Sequence, residues 1–89
     1  MSIAEELFEK DQLPNDFDLN DEVELGHFLG TTWCARKFED GSIIAIEACP
    51  VDCFTGGPYL CGAFDNFSQF EDWVKKQDYL DPDAYKVLA

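Results

Sequence analysis

Four cysteines and one histidine carry the sharpest potential chemistry in this chain: Cys34, Cys49, Cys53, Cys61 and His27. Cys49 and Cys53 form a C-x3-C pair, and Cys61 follows seven intervening residues later. A structural zinc site wants two such pairs. The second pair is missing, and Cys34 stands on a strand-like stretch far from any knuckle. Ordinary buried or strand thiols are therefore expected, and a zinc site is the alternative. Cysteine nucleophilic catalysis needs a thiolate held by positive charge, with a base in reach. A formal net charge of −13 raises thiol pKa values instead, and a single His27 supplies no triad.

The acids are the other reservoir of chemistry. The chain has 19 Asp and Glu against six Lys and Arg. Carboxylates are so abundant that any two of them say nothing about glycoside chemistry. Asp16, Asp18, Asn20 and Glu22 alternate like the oxygens of a calcium loop, but the Gly and Glu that such a loop places at fixed positions are absent. Gly56-Gly57 lacks the Lys and Ser or Thr of a phosphate-binding loop, and no basic patch suits nucleic acid. The distribution of acids is more telling. Nine lie between Glu5 and Glu24, with Lys10 the one base among them. A second group is Asp65, Glu71, Asp72, Asp78, Asp81 and Asp83, diluted by Lys75 and Lys76. Such a charge disfavours DNA, RNA and anionic membranes as ligands and favours a cation or a basic protein. A merely acidic, solvated surface is the plainer alternative.

At 89 residues the chain is expected to form one domain spanning 1–89. Eight Phe, three Tyr and two Trp provide material for one small core. No stretch approaches the ~18 apolar residues of a membrane helix. The start, MSIAEELFEKDQL, lacks the basic and apolar regions of a signal peptide, so a cytoplasmic location with reduced thiols is expected.

The positioning elements centre on Thr31–Ala48. Asp40-Gly41 predicts a two-residue hairpin turn of type I′. That register sets Glu39 opposite Ser42, Phe38 opposite Ile43 and Ala35 opposite Ile46. Trp33, Ala35, Ile44, Ile46 and Ala48 then form the core face. Cys34, Arg36, Phe38, Ile43, Ala45 and Glu47 form a half-solvated face with a diagonal Arg36/Glu47 pair. Tyr59–Phe64 reads as a third strand, after a Gly/Pro loop at Cys49–Pro58.

Ser2 and Glu5 fit a capping box, predicting a helix from Ile3 to Lys10 with Ile3 and Leu7 inward. Gln12–Asn20 is a loop set by Pro14 and Asn15-Asp16, with Phe17 and Leu19 pinned to the core. Asp21–Leu29 reads as a short helix between an Asn20 cap and a Gly30 stop. Its alternating Val23, Leu25, His27 and Leu29 would also suit an edge strand. Asp65-Asn66 caps a helix over Phe67–Lys76, whose Phe67, Phe70, Trp73 and Val74 form a stripe over the core face. Asp81-Pro82 starts a last short helix docked by Tyr85 and Leu88. The expected fold is α+β: a three-stranded antiparallel β-meander packed against an α-helix, with short N- and C-terminal helices.

In these features the chain resembles small acidic phage proteins that block bacterial defence. It is similar in layout to one anti-CRISPR family, a DNA mimic directed at type I surveillance complexes. The likeness lies in total length, in the hairpin Phe38-Glu39-Asp40-Gly41-Ser42-Ile43-Ile44, and in the helix step Asp72-Trp73-Val74. The four cysteines, the Gly/Pro loop and the lysines of the C-terminal part depart from it. The resemblance implies a non-enzymatic inhibitor, without cofactor or metal, acting in the host bacterial cytoplasm. It would occupy the basic nucleic-acid-binding surface of a CRISPR–Cas effector. Glu5, Glu6, Glu9, Asp16, Asp18, Asp21, Glu22 and Glu24 are the expected partner-binding residues, with Phe8 or Phe17 as aromatic anchors. An immunity or antitoxin protein neutralising a basic nuclease toxin, and a small zinc-stabilised module, are the alternatives.

Overall fold

The computed structural model describes residues 1–48 and 58–89. The fold is α+β, built on an antiparallel four-stranded sheet in the order β1-β2-β3-β4. In chain order the elements are α1 (Ile3–Glu9), β1 (Val23–Phe28), β2 (Thr31–Lys37), β3 (Ile43–Ala48), β4 (Tyr59–Phe64), α2 (Phe67–Lys75) and a 3-10 helix (Ala84–Leu88). No helix among the described residues is long and apolar enough to cross a membrane.

The sheet has one strand more than the sequence suggests, because Val23–Phe28, within the segment read as a helix, is a strand. Its alternation wins over its cap signals through pairing with β2, from Val23 opposite Ala35 to Phe28 opposite Thr31. Gly30 does not stop a helix. With Leu29 it makes a two-residue turn in which both residues have positive φ, 51° and 81°, as a type I′ hairpin requires. Glycine takes this conformation freely, whereas leucine incurs about 1–2 kcal/mol of steric cost. Gly26 sits at a bulge in β1. A Cβ there would lie 3.0 Å from the Tyr79 carbonyl oxygen and 3.1 Å from Leu80 Cα. These are backbone neighbours that cannot rotate away. Gly26→Ala should therefore destabilise the fold by about 1–3 kcal/mol in urea denaturation, and an unchanged midpoint would show that β1 can move off the 79–80 segment.

The β2–β3 hairpin exists as expected, but in a register shifted by one residue. Arg36 faces Ile44, Ala35 faces Ala45 and Cys34 faces Ile46. The turn has three residues rather than two. The Phe38 N–H donates to the Ser42 carbonyl at 2.8 Å, and the Gly41 N–H donates to the Phe38 carbonyl at 3.0 Å. Only Gly41 takes positive φ, 88°, so Asp40 escapes the strained conformation that a type I′ turn imposes. The Asp40 carboxylate is instead used as an acceptor. It takes the Ser42 N–H at 3.0 Å, the Ser42 hydroxyl, and the Ile3 N–H of α1 at 2.9 Å. These hydrogen bonds, from Ser42 foremost, hold its carboxyl below the usual range. The buried Ser42 hydroxyl also receives the Ala4 N–H at 3.1 Å. The turn thus anchors the start of α1, whose cap is Ser2 as the capping box predicts.

A one-residue slip inverts one strand of a hairpin relative to the other. Cys34, Ile44 and Ile46 now share a face, and Ala35 shares the other with Ile43. Arg36 and Glu47 lie on opposite faces, so the expected diagonal pair does not form. Nor is either face half-solvated. Ala4 and Leu7 of α1, with Leu13, Phe17 and Leu19 of the following loop, cover Cys34, Ile44 and Ile46. Phe70 and Val74 of α2, Leu80, and Tyr85 and Leu88 of the 3-10 helix cover Leu25, Ala35 and Ile43. The stripe on α2 is used as predicted, with Asn66 accepting the Gln69 N–H at 3.0 Å as its cap. The last helix begins two residues later than Pro82 suggests and is of the tighter 3-10 type.

Candidate functional site

The sheet sorts the acids into two covers. α1, loop 12–22 and the start of β1 form one, and all eight carboxylates expected at a docking face belong to it. Glu5 and Glu6 stand in the first turn of α1, where acids suit the helix dipole, and Glu9 in its last. All three are exposed. The Lys10–Glu6 contact at 3.2 Å is an open i,i+4 pair and neutralises little. Phe8 is 44% exposed and lies among these acids, whereas Phe17 packs against the core.

Loop 12–22 turns its apolar residues in and its acids out. Pro14 is buried, and its carbonyl accepts the Phe17 N–H at 3.0 Å. Asp18 accepts the Asn20 N–H on its side chain at 3.0 Å and the Asp21 N–H on its carbonyl at 2.9 Å. Asp16, Asp18 and Asp21 are exposed. Glu24 is exposed on β1, opposite Cys34 and therefore on the α1 side of the sheet.

Glu22 differs from the other seven. Its side chain is 2% exposed and is gripped by Arg36. Arg36 Nε donates to Glu22 Oε1 at 2.8 Å, and Nη2 donates to Oε2. The remaining fork reaches Asp16, with Nη1 to Oδ1 at 2.6 Å. The Asp18 N–H adds a contact to Glu22 at 3.3 Å. Hydrogen bonding to Glu22 pushes the Arg36 guanidinium further toward its charged form, and Arg36 holds the Asp16 carboxyl below its usual range. Arg36 is thus a clamp tying the acidic loop to β2. Glu22 is spent inside the fold, and seven carboxylates remain to face outward. The clamp escapes a sequence reading because the expected register gives Arg36 to Glu47.

The opposite cover carries Asp65, Glu71, Asp72, Asp78, Asp81 and Asp83, but with Lys75, Lys76 and Lys86 among them. Lys86 pairs with Asp83 at 2.9 Å and Lys75 with Glu71 at 3.8 Å. The α1 cover holds nine acids with only Lys10 and the internally engaged Arg36. Negative charge is therefore denser on the α1 side.

The sulfur chemistry is subdued. Cys34 is buried and Cys61 half-buried. Burial pushes both thiols up to about 12, aided by Glu22 at Cys34 and by Glu47 at Cys61, so both are neutral at physiological pH. His27 is exposed and bonded through Nδ1 to the Thr32 hydroxyl at 2.9 Å. No group of three or more His, Cys, Asp or Glu side chains that could hold a metal occurs among the described residues. Cys49 and Cys53, the C-x3-C pair, lie outside the described residues. Comparison with models of known protein families, with curated proteins and with solved structures finds no match to this chain.

Proposed function

We propose that this chain is a non-enzymatic acidic binding protein that occupies the basic nucleic-acid-binding surface of a nucleic-acid-handling protein. Within that class we propose a CRISPR–Cas effector as the target, which makes the chain an anti-CRISPR inhibitor acting by DNA mimicry. The supporting observation is the gathering of Glu5, Glu6, Glu9, Asp16, Asp18, Asp21 and Glu24 on one cover of the sheet, held there by Arg36 and by the cap of α1.

Charge density makes the comparison with DNA quantitative. The long axis of the molecule is 34 Å. Duplex DNA of that length carries about 20 phosphates, one per ~1.7 Å, or about ten on each strand. With the Glu22 side chain buried, eight exposed acids on the α1 cover, Asp11 among them, approach one strand's worth. A lysine- and arginine-lined groove built for a phosphate backbone would be attracted to such a surface over distances of about one Debye length, ~8–10 Å at physiological salt.

Capture from a bacterial lysate on the immobilised full chain tests this. At low salt it should retain a nucleic-acid-handling protein with a basic surface. Raised salt or added duplex DNA should release it. Retention indifferent to both would overturn the proposal, and retention of a nuclease toxin would move the target from a CRISPR–Cas effector to that toxin.

A further inference from the structure

The cover opposite the acidic one exposes an aromatic platform at the β1–β2 turn. Tyr79 stacks on Phe28, with ring centroids 6.1 Å apart and planes at 25°, and lies 4.5 Å from Trp33. Trp33 is partly buried and packs against the core, so the platform is backed by the fold. Phe28 is 49% exposed, and Leu29 beside it is 87% exposed. Leu29 is a poor choice on two counts. It holds a φ of 51°, which asparagine or glycine would accept more readily, and it places an apolar side chain in water. What Leu29 adds is apolar surface next to Phe28. A strained residue that serves neither its turn nor its solvent points to a contact with something else.

Charge identifies the occupant. Segments 23–33 and 77–83, which build the platform, contain no Lys or Arg. Asp78 adjoins Tyr79, and Glu47 faces Trp33 across the β2–β3 pair. A second copy would set one net charge of −13 against another, so self-association at this surface is disfavoured. An electron-rich, acid-flanked aromatic surface suits a guanidinium, which can stack on the rings while carboxylates meet its N–H groups. We infer that the β1–β2 tip docks an arginine-bearing segment of a basic protein partner, with the guanidinium over the Phe28–Tyr79 pair and the arginine methylenes against Leu29. The inference rests on the proposed function only in taking the partner to be basic, and it uses a different surface.

The probe is an octa-arginine peptide titrated into the isotopically labelled full chain, with an octa-lysine peptide of equal charge as control. Chemical-shift changes should appear at the Phe28 and Tyr79 rings and the Leu29 methyls, and should be larger with arginine. Leu29→Asn creates an Asn-Gly turn, so its melting temperature should rise while tip affinity falls about fivefold. Loss of binding in a stabilised variant cannot come from unfolding. Tyr79→Leu should weaken tip binding by a similar factor or more. Shift changes confined to α1 and loop 12–22, with both variants binding as wild type, would overturn the tip and leave the acidic cover standing. Tip shifts that survive reversal of Glu9, Asp21 and Glu24 would uphold the tip as a site separate from the acidic cover.

Discussion

Arg36→Met is expected to lower the free energy of unfolding by about 3–5 kcal/mol, a large share of the roughly 4–13 kcal/mol available to a chain of this size. The cost arises at Glu22 rather than at Arg36. Both Glu22 oxygens are engaged by the guanidinium, and the side chain is 2% exposed. Methionine would fill much of the arginine's volume but leave a buried carboxylate with only the Asp18 N–H at 3.3 Å. The Asp16 contact adds little to this figure, because that carboxylate is 83% exposed and screened by solvent. The double variant Glu22→Leu/Arg36→Met separates orphaned charge from lost attraction. A buried ion pair replaced whole by apolar residues is often neutral or stabilising, so the double variant should recover most of the loss. Urea denaturation with a constant slope provides the measurement. Arg36→Met within about 1 kcal/mol of wild type would mean that loop 12–22 opens readily and exposes Glu22 to water.

The elements that the sequence discloses are those whose causes are local. Ser2 with Glu5, the Asp65-Asn66 cap, and the stripe Phe67-Phe70-Trp73-Val74 each act within a few residues, and α1 and α2 stand where these signals place them. Tyr59–Phe64 is likewise the last strand as read. What escapes local reading is decided by distant partners. Asp40-Gly41 is compatible with both a two- and a three-residue turn. The choice falls to the three-residue turn, whose Asp40 carboxylate also meets the Ile3 N–H from the far end of the chain. That single step moves Arg36 away from Glu47 and sets it against Glu22. Asn20, Asp21 and Glu22 look like a helix start only while Glu22 is taken to be in water. Once Arg36 draws Glu22 inward, and the Leu25 carbonyl accepts the Asp81 N–H at 2.8 Å, the segment is held extended. The candidate site shares this division. That acids crowd residues 5–24 is plain from composition, but which of them stay outside depends on the hairpin register. The aromatic tip depends on Tyr79 reaching Phe28, a contact with no local signature at all.

Reversing Glu9, Asp21 and Glu24 to lysine should slow association with the captured partner about 100-fold, within the 10- to 1,000-fold span of electrostatic steering. These three carboxylates are the suitable choice because folding asks little of them. All are exposed, and none makes a side-chain hydrogen bond or ion pair among the described residues. Lysine in place of Glu9, in the last turn of α1, even suits the helix dipole. Stability should therefore stay within about 1 kcal/mol, so that a slowed association reflects the encounter and not the fold. Asp65, Asp72 and Asp83, all exposed, supply the matched control, since reversing them changes the net charge by the same amount on the opposite cover. A partner that reads one face will respond strongly to the first set and weakly to the second. A partner that responds only to the total of −13 will respond equally to both. Stopped-flow association rates over a range of salt distinguish these cases, because the slope of rate against ionic strength should flatten only for the first set. Equal slowing by the two triple variants would remove the acidic face as the recognised feature and leave net charge in its place.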